Sequence, residues 1–141
     1  MLVDANLLLF AVDAHSPYNA PAVAWLEPAL NGNRRVAIPW QTIGAFLRIS
    51  THPRVTTNPL TPAEAWGYVE AWLAAPTTWI PPATERTARI LGELMIGHNV
   101  TANLVTDAQL AALTLENGLT LYSADGDFAR FKQLSWANPL A

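Results

Sequence analysis

Three aspartates stand alone in apolar surroundings, far apart along the chain: Asp4 in MLVDANLLLF, Asp107 in ANLVTDAQLAAL and Asp125 in LTLYSADGDFARF. The chain has only 11 Asp and Glu in 141 residues, so these positions are not the overflow of an acidic surface. An ionised carboxylate in an apolar run is costly to bury without a partner. Three of them point to convergence on a positive group, and a divalent cation is the first candidate. Carboxylates gathered in a low-dielectric cleft repel one another, and without a cation one is expected to protonate. With Mg²⁺ the cluster becomes favourable. The cation keeps several of its waters, and such a site can polarise a phosphoryl oxygen and activate water. That is the chemistry of phosphodiester hydrolysis. Structural roles compete with it. Asp4 suits the N-cap of a helix after a first strand, Asp125-Gly126 is a turn signal, and Asp127 suits the N-cap of a short helix Asp127–Phe131. Asp107 is hardest to explain as structure, because it falls inside an amphipathic helix near Leu104, Val105 and Ala108.

The composition narrows the ligands. There is no Cys, and the 3 His (His15, His52, His98) are scattered, which removes thiolate chemistry and offers no zinc spacing. Carboxylates remain, and they suit hard cations such as Mg²⁺ or Mn²⁺. With 51% hydrophobic and 13% charged residues, the chain can fill a core, and disorder is excluded. A net charge of −3 gives no general support for nucleic-acid binding. Any such site must be local, built from Arg34, Arg35, Arg48, Arg54 or Arg130. MLVDANLLLFAV lacks a basic leader and contains an acid, and no apolar run approaches the roughly 20 residues needed to cross a bilayer. The expectation is a cytoplasmic protein without membrane contact, folded as one domain over residues 1–141.

The aspartates need elements to position them. Met1–Val3, Val36–Pro39, Thr78–Ile80, Leu119–Tyr122 and Leu134–Trp136 read as short strands. Asn6–Val12, Asn19–Leu30, Gln41–Ser50, Thr61–Leu73, Thr84–Ile96 and Asn103–Asn117 read as helices. Pro21 fits a first turn, Thr61 with Glu64 has capping-box spacing, and Gly118 follows a helix end. Trp25, Trp66 and Trp72 are assigned to the core side of their helices. Alternating strands and helices predict an α/β sandwich with a mainly parallel sheet of four to five strands. In such a sheet, ligands gather beyond the carboxyl ends of the strands, where Asp4 and Asp125 would stand. Asn6 and Ser123 are near enough in sequence to orient a carboxylate or a water. Asn103 lies four residues before Asp107 and shares its helical face, and Ala111 beyond leaves room for close packing.

The segment ANLVTDAQLAALTLENGLTLYSADGDFARFKQLSWANPL resembles the C-terminal half of PIN-domain ribonucleases, above all the VapC toxins of VapBC toxin–antitoxin pairs in their mycobacterial-type group. MLVDANLLLFAVD resembles the first strand and helix of that family, and PWQTIGAFLRISTHPRV its middle motif. The resemblance implies a PIN-like three-layer α/β/α sandwich and a metal-dependent endoribonuclease. It matches Asp4 and Asp107 to the principal metal-binding acids, Asp125 to the third acid, Asp127 to an auxiliary one and Asn6 to a polar neighbour. It also implies an RNA substrate (tRNA or rRNA), a VapB-type antitoxin and a homodimer. One departure stands out: many family members carry a Glu just before the position of Phe46, where this chain has Gly44 and Ala45. That puts a second metal in doubt, and one metal held chiefly by Asp4 and Asp107 is the expectation.

Arg48 and Arg54, at the end of the third helix, are candidate contacts for RNA phosphates, or cations favoured by a helix C-terminus. His52 reads as a loop residue rather than a general base. A degenerate PIN domain that binds RNA or protein without cutting is the alternative. A phosphoryl-accepting signalling domain would pair its acids with a Lys, and the only one, Lys132, lies beyond the last of them.

Overall fold

Leu2 and Val3 form a strand of only 2 residues, yet each is fully buried, on opposite faces. That alternation is the strand period, and it sets up three layers. The structure, a computed structural model, describes residues 1–141. Five parallel strands, β1 (Leu2–Val3), β2 (Val36–Ala37), β3 (Thr78–Trp79), β4 (Leu121–Tyr122) and β5 (Trp136–Ala137), lie in the order β3-β2-β1-β4-β5.

On one face, α5 (Glu85–Gly97) and α6 (Leu104–Glu116) pack Leu94, Ala108, Ala111 and Leu113 against Leu2 and Leu121. On the other, α1 (Ala5–Val12), α2 (Asn19–Leu30), α3 (Trp40–Ser50) and α4 (Pro62–Ala74) place Leu7, Leu26, Phe46 and Trp72 against Val3, Val36 and Ile38. The expected α/β/α sandwich is therefore present. Its strands are shorter than the apolar runs suggested, because β1 and β2 stop one or two residues before the helices that follow, and the last strand pairs over Trp136–Ala137 rather than Leu134–Trp136. Val36–Pro39, for example, pairs as β2 only through Ala37 before α3 begins.

The caps explain most helix limits. Thr61 and Glu64 bond reciprocally at 3.1 and 3.0 Å, with Pro62 in the first turn. Gly118 closes α6 with φ +62, a left-handed conformation open to glycine at little cost. Two expectations fail. Trp66 points outward, 45% exposed, because Ala65, Val69 and Trp72 take the inner face of α4. The short last helix is a 3₁₀ turn over Gly126–Arg130, and its cap is Asp125 rather than Asp127.

The first turn of α3 is fastened to the central strand by Thr42, whose buried Oγ1 donates to the Val3 carbonyl at 2.7 Å. We expect Thr42→Val, which keeps the shape and removes the donor, to cost about 1–2 kcal/mol of stability. Urea unfolding checks this, and an unchanged midpoint would show that the bond contributes nothing net.

Candidate metal centre

The ends of β1 and β4 meet at Asp4. Its backbone N–H donates to the Tyr122 carbonyl at 3.0 Å. One carboxylate oxygen accepts from the Ala5 N–H at 2.7 Å, and the other from the Ser123 hydroxyl at 2.8 Å. Asp4 is thus both the N-cap of α1 and a member of the acidic site. The two readings were never exclusive.

Ser123 is completely buried and uses its whole hydroxyl. While donating to Asp4, it accepts from Asn6 Nδ2 at 3.0 Å and from the Asp125 N–H at 3.0 Å. Asn6 closes the circuit by accepting from the Ala124 N–H at 3.3 Å. Asn6 and Ser123 are therefore the orienting pair that their positions suggested. Trp136 adds a bond that the sequence did not announce. Its indole N–H donates to the Ser123 carbonyl at 3.1 Å, pinning the turn after β4 from the neighbouring strand. The only signal was one Trp in a short terminal strand.

Beyond Ser123 the chain turns sharply. Asp125 accepts from the Asp127 N–H at 2.9 Å, which sets the two carboxylates side by side. Asp107, in the first turn of α6, joins them. One carboxylate oxygen from each of Asp107, Asp125 and Asp127 lies within 4.8 Å of the other two. Asp127 joins the expected Asp107 and Asp125 in this triplet. Asp4 adjoins it, its carboxylate bonded to Ser123 and Ala5 and its charge acting on Asp107. Asn103 stands exposed as the N-cap residue of α6, without a capping bond. Arg48 is exposed on α3, and Arg54 is exposed in the turn after it, where its N–H donates to His52 Nδ1 at 3.1 Å. His52 is thereby a turn residue, as expected. No acid stands on α3 near the site, where Gly44 is exposed and Ala45 half-buried.

The electrostatics show what the cluster lacks. A helix N-terminus favours a carboxylate, so Asp107 in the first turn of α6 would be expected to titrate low. Instead its carboxyl is pushed up to about 6, first by burial, then by the charges of Asp125, Asp4 and Asp127, with Arg130 opposing weakly. Asp4 is also raised, chiefly by burial, although the bonds from Ser123 and Ala5 resist the shift and Asp125 adds to it. Three hard oxygen donors converge, and there is no cysteine in the chain. That set fits a hard divalent cation rather than a soft metal.

The sign of the pH effect follows. Asp107 is raised in the folded state, so its contribution to stability is complete below its unfolded pKa and is lost as pH climbs through about 6. We expect the metal-free protein to lose melting temperature between about pH 5 and about pH 7.5, and Asp107→Asn to lose less. At the higher pH, Mg²⁺ should raise the melting temperature of the wild type by a few degrees and that of Asp107→Asn little. Equal shifts in both would place the cation elsewhere. A second expectation concerns the hydroxyl: Ser123→Ala removes a bond that holds Asp4 down, so its carboxyl should titrate higher still by NMR.

The PIN-domain family profile matches residues 1–134. Ribonuclease VapC37 of Mycobacterium tuberculosis is 40% identical over 140 residues, covering 99% of this chain and 97% of its own. Ribonuclease VapC33 of the same species is 38% identical over 140 residues, covering 99% and 98%. Among solved structures, VapBC2 from Rickettsia felis bound to a promoter DNA fragment superposes with a TM-score of 0.72 at 17% identity, over 97% of this chain and 96% of that one. FitAcB from Neisseria gonorrhoeae superposes with a TM-score of 0.67 at 21% identity, over 98% and 96%. The structural matches agree on the fold, and the sequence matches extend over nearly the whole length. A parallel sheet of this order, acids at its carboxyl edge and relatives of this identity together establish that the chain belongs to the PIN-domain family, among its VapC ribonucleases.

Proposed function

We propose that this chain is a divalent-cation-dependent endoribonuclease, acting as the toxin of a toxin–antitoxin pair, with residues 1–141 working as a single PIN domain. The observation that carries this reading is the convergence of Asp107, Asp125 and Asp127 within 4.8 Å. The Asp107 carboxyl is pushed up to about 6, first by burial and then by the acids around it. That arrangement is unfavourable in isolation and favourable around a cation.

Asp4, Asp107 and Asp125 would hold Mg²⁺, or Mn²⁺ in its place, with Asp127 beside them as an auxiliary acid. Such a cation polarises a phosphoryl oxygen and activates water for in-line attack on the phosphodiester. The protein's own part is positioning. Asp4 is held in place through Ser123 and Ala5. Asn6 and Ser123 lock the turn that carries Asp125. Asp127, the exposed member, stands at the mouth where RNA would arrive. With hydrolysis driven by water, the ribose 2′-OH need not be the nucleophile. Structured RNA, tRNA or rRNA, is the substrate class. A VapB-type antitoxin would neutralise the toxin by covering the acids. The active form is a homodimer.

A second reading is a PIN domain that binds without cutting. It is favoured by Gly44 and Ala45, which leave α3 without an acid. Purified protein incubated with total tRNA and rRNA decides between them. We expect discrete cuts with Mg²⁺ or Mn²⁺, none with chelator, and a loss on the order of 100-fold or more in Asp107→Asn and Asp125→Asn. Cutting that survives chelation or both substitutions would sink the assignment.

A further inference from the structure

Trp40 is 59% exposed, the most open of the tryptophans. An indole that faces water forgoes the burial that its size would otherwise contribute. It occupies the first position of α3, directly after Pro39. Counting by four from it reaches Gly44 and then Arg48, both exposed. Residues at that spacing lie along one helical face, so the three form one outward ridge. Gly44 leaves it open in the middle: a Cβ placed there would meet nothing within 4 Å.

The ridge starts at the acidic edge of the sheet. β2 runs parallel beside β1, with Ala37 level with Leu2, so Trp40 and Asp4 emerge at the same end. Thr42 ties this turn to the Val3 carbonyl, one residue before Asp4. From Trp40 to Arg48 the helix rises about 12 Å. A flat aromatic surface, an open gap and a cation follow one another along that length. This is the pattern of sites that hold single-stranded nucleic acid, stacking for bases and positive charge for phosphates. In a chain of net charge −3, a polyanion needs such a local feature to approach an acidic site at all.

We propose that the Trp40–Gly44–Arg48 ridge is a positioning track for unpaired RNA, with a base stacked on Trp40, the backbone passing over Gly44 and a phosphate on Arg48. This rests on the ribonuclease reading, and it gives the gap on α3 a use. Where an acid is missing, the strand can lie close to the helix. The track favours substrates whose nucleotides next to the cut are unstacked, such as loops, over continuous duplex.

The test is fluorescence anisotropy of a short, labelled, single-stranded RNA of mixed sequence, with full-length protein in chelator so that nothing is cut. Trp40→Ala should weaken binding by about tenfold, while Trp40→Phe keeps most of it. Arg48→Gln should weaken binding and lower the salt slope by roughly 0.7, as one lost phosphate contact predicts. Trp40→Ala should leave that slope unchanged. Unaltered affinity in Trp40→Ala overturns the track, as does a change in its mass by light scattering, which would make the indole a contact between copies. Cutting by wild type in Mg²⁺, measured in parallel, separates the two readings. Cutting without the binding pattern removes the track alone, and the binding pattern without cutting removes the nuclease alone.

Discussion

Everything at the carboxyl edge of this sheet answers to one constraint, the cost of burying carboxylates beside one another where water is scarce. Asp107 shows its size most directly. A helix N-terminus should stabilise its ionised form, yet its carboxyl is pushed up to about 6. Keeping acids together against that push requires a rigid frame. The Ser123 hydroxyl supplies the joint by linking Asp4, Asn6 and the Asp125 backbone through three bonds of 2.8 to 3.0 Å. A hydroxyl has one donor and two acceptor sites, so Ser123 has nothing left over. Its complete burial costs little because every site is used.

The layers exist to hold that frame still. Strands of 2 residues contribute few ladder bonds. Two apolar clusters, one on each face, keep the sheet in place, and β1 contributes one residue to each. Side-chain ties then fix what the ladders leave loose. Thr42 holds α3 to β1, and Trp136 holds the turn after β4. Both ties end on carbonyls beside the acids, Val3 next to Asp4 and Ser123 two residues before Asp125.

The fold was largely legible because its signals are local. Helix periodicity, the Thr61–Glu64 capping box and Gly118 marked boundaries to within a residue or two. Strand lengths were less legible, because an apolar run such as Val36–Pro39 does not show where pairing stops. Trp66 was misplaced because α4 has apolar residues on more than one face, and only its neighbours select Ala65, Val69 and Trp72. In the site, Asp4, Asp107 and Asp125 were visible as acids in apolar runs, with Asn6 and Ser123 beside them.

Sequence alone determined which groups are available: hard carboxylates, no thiols, and a βα alternation that places strand ends together. Family resemblance in the same residues pointed to the chemistry. Tertiary structure decided which acids converge. Asp127 read both as a cap and as an auxiliary acid; the 125–127 turn gives the capping bond to Asp125 and leaves Asp127 beside Asp107. Asp4 is fixed at the same edge by Ser123 and Ala5. Order along a chain does not fix the direction of a side chain at a turn. That direction comes from bonds such as Ser123 to Asp4, which join residues 119 positions apart and come into being only when β1 and β4 lie side by side.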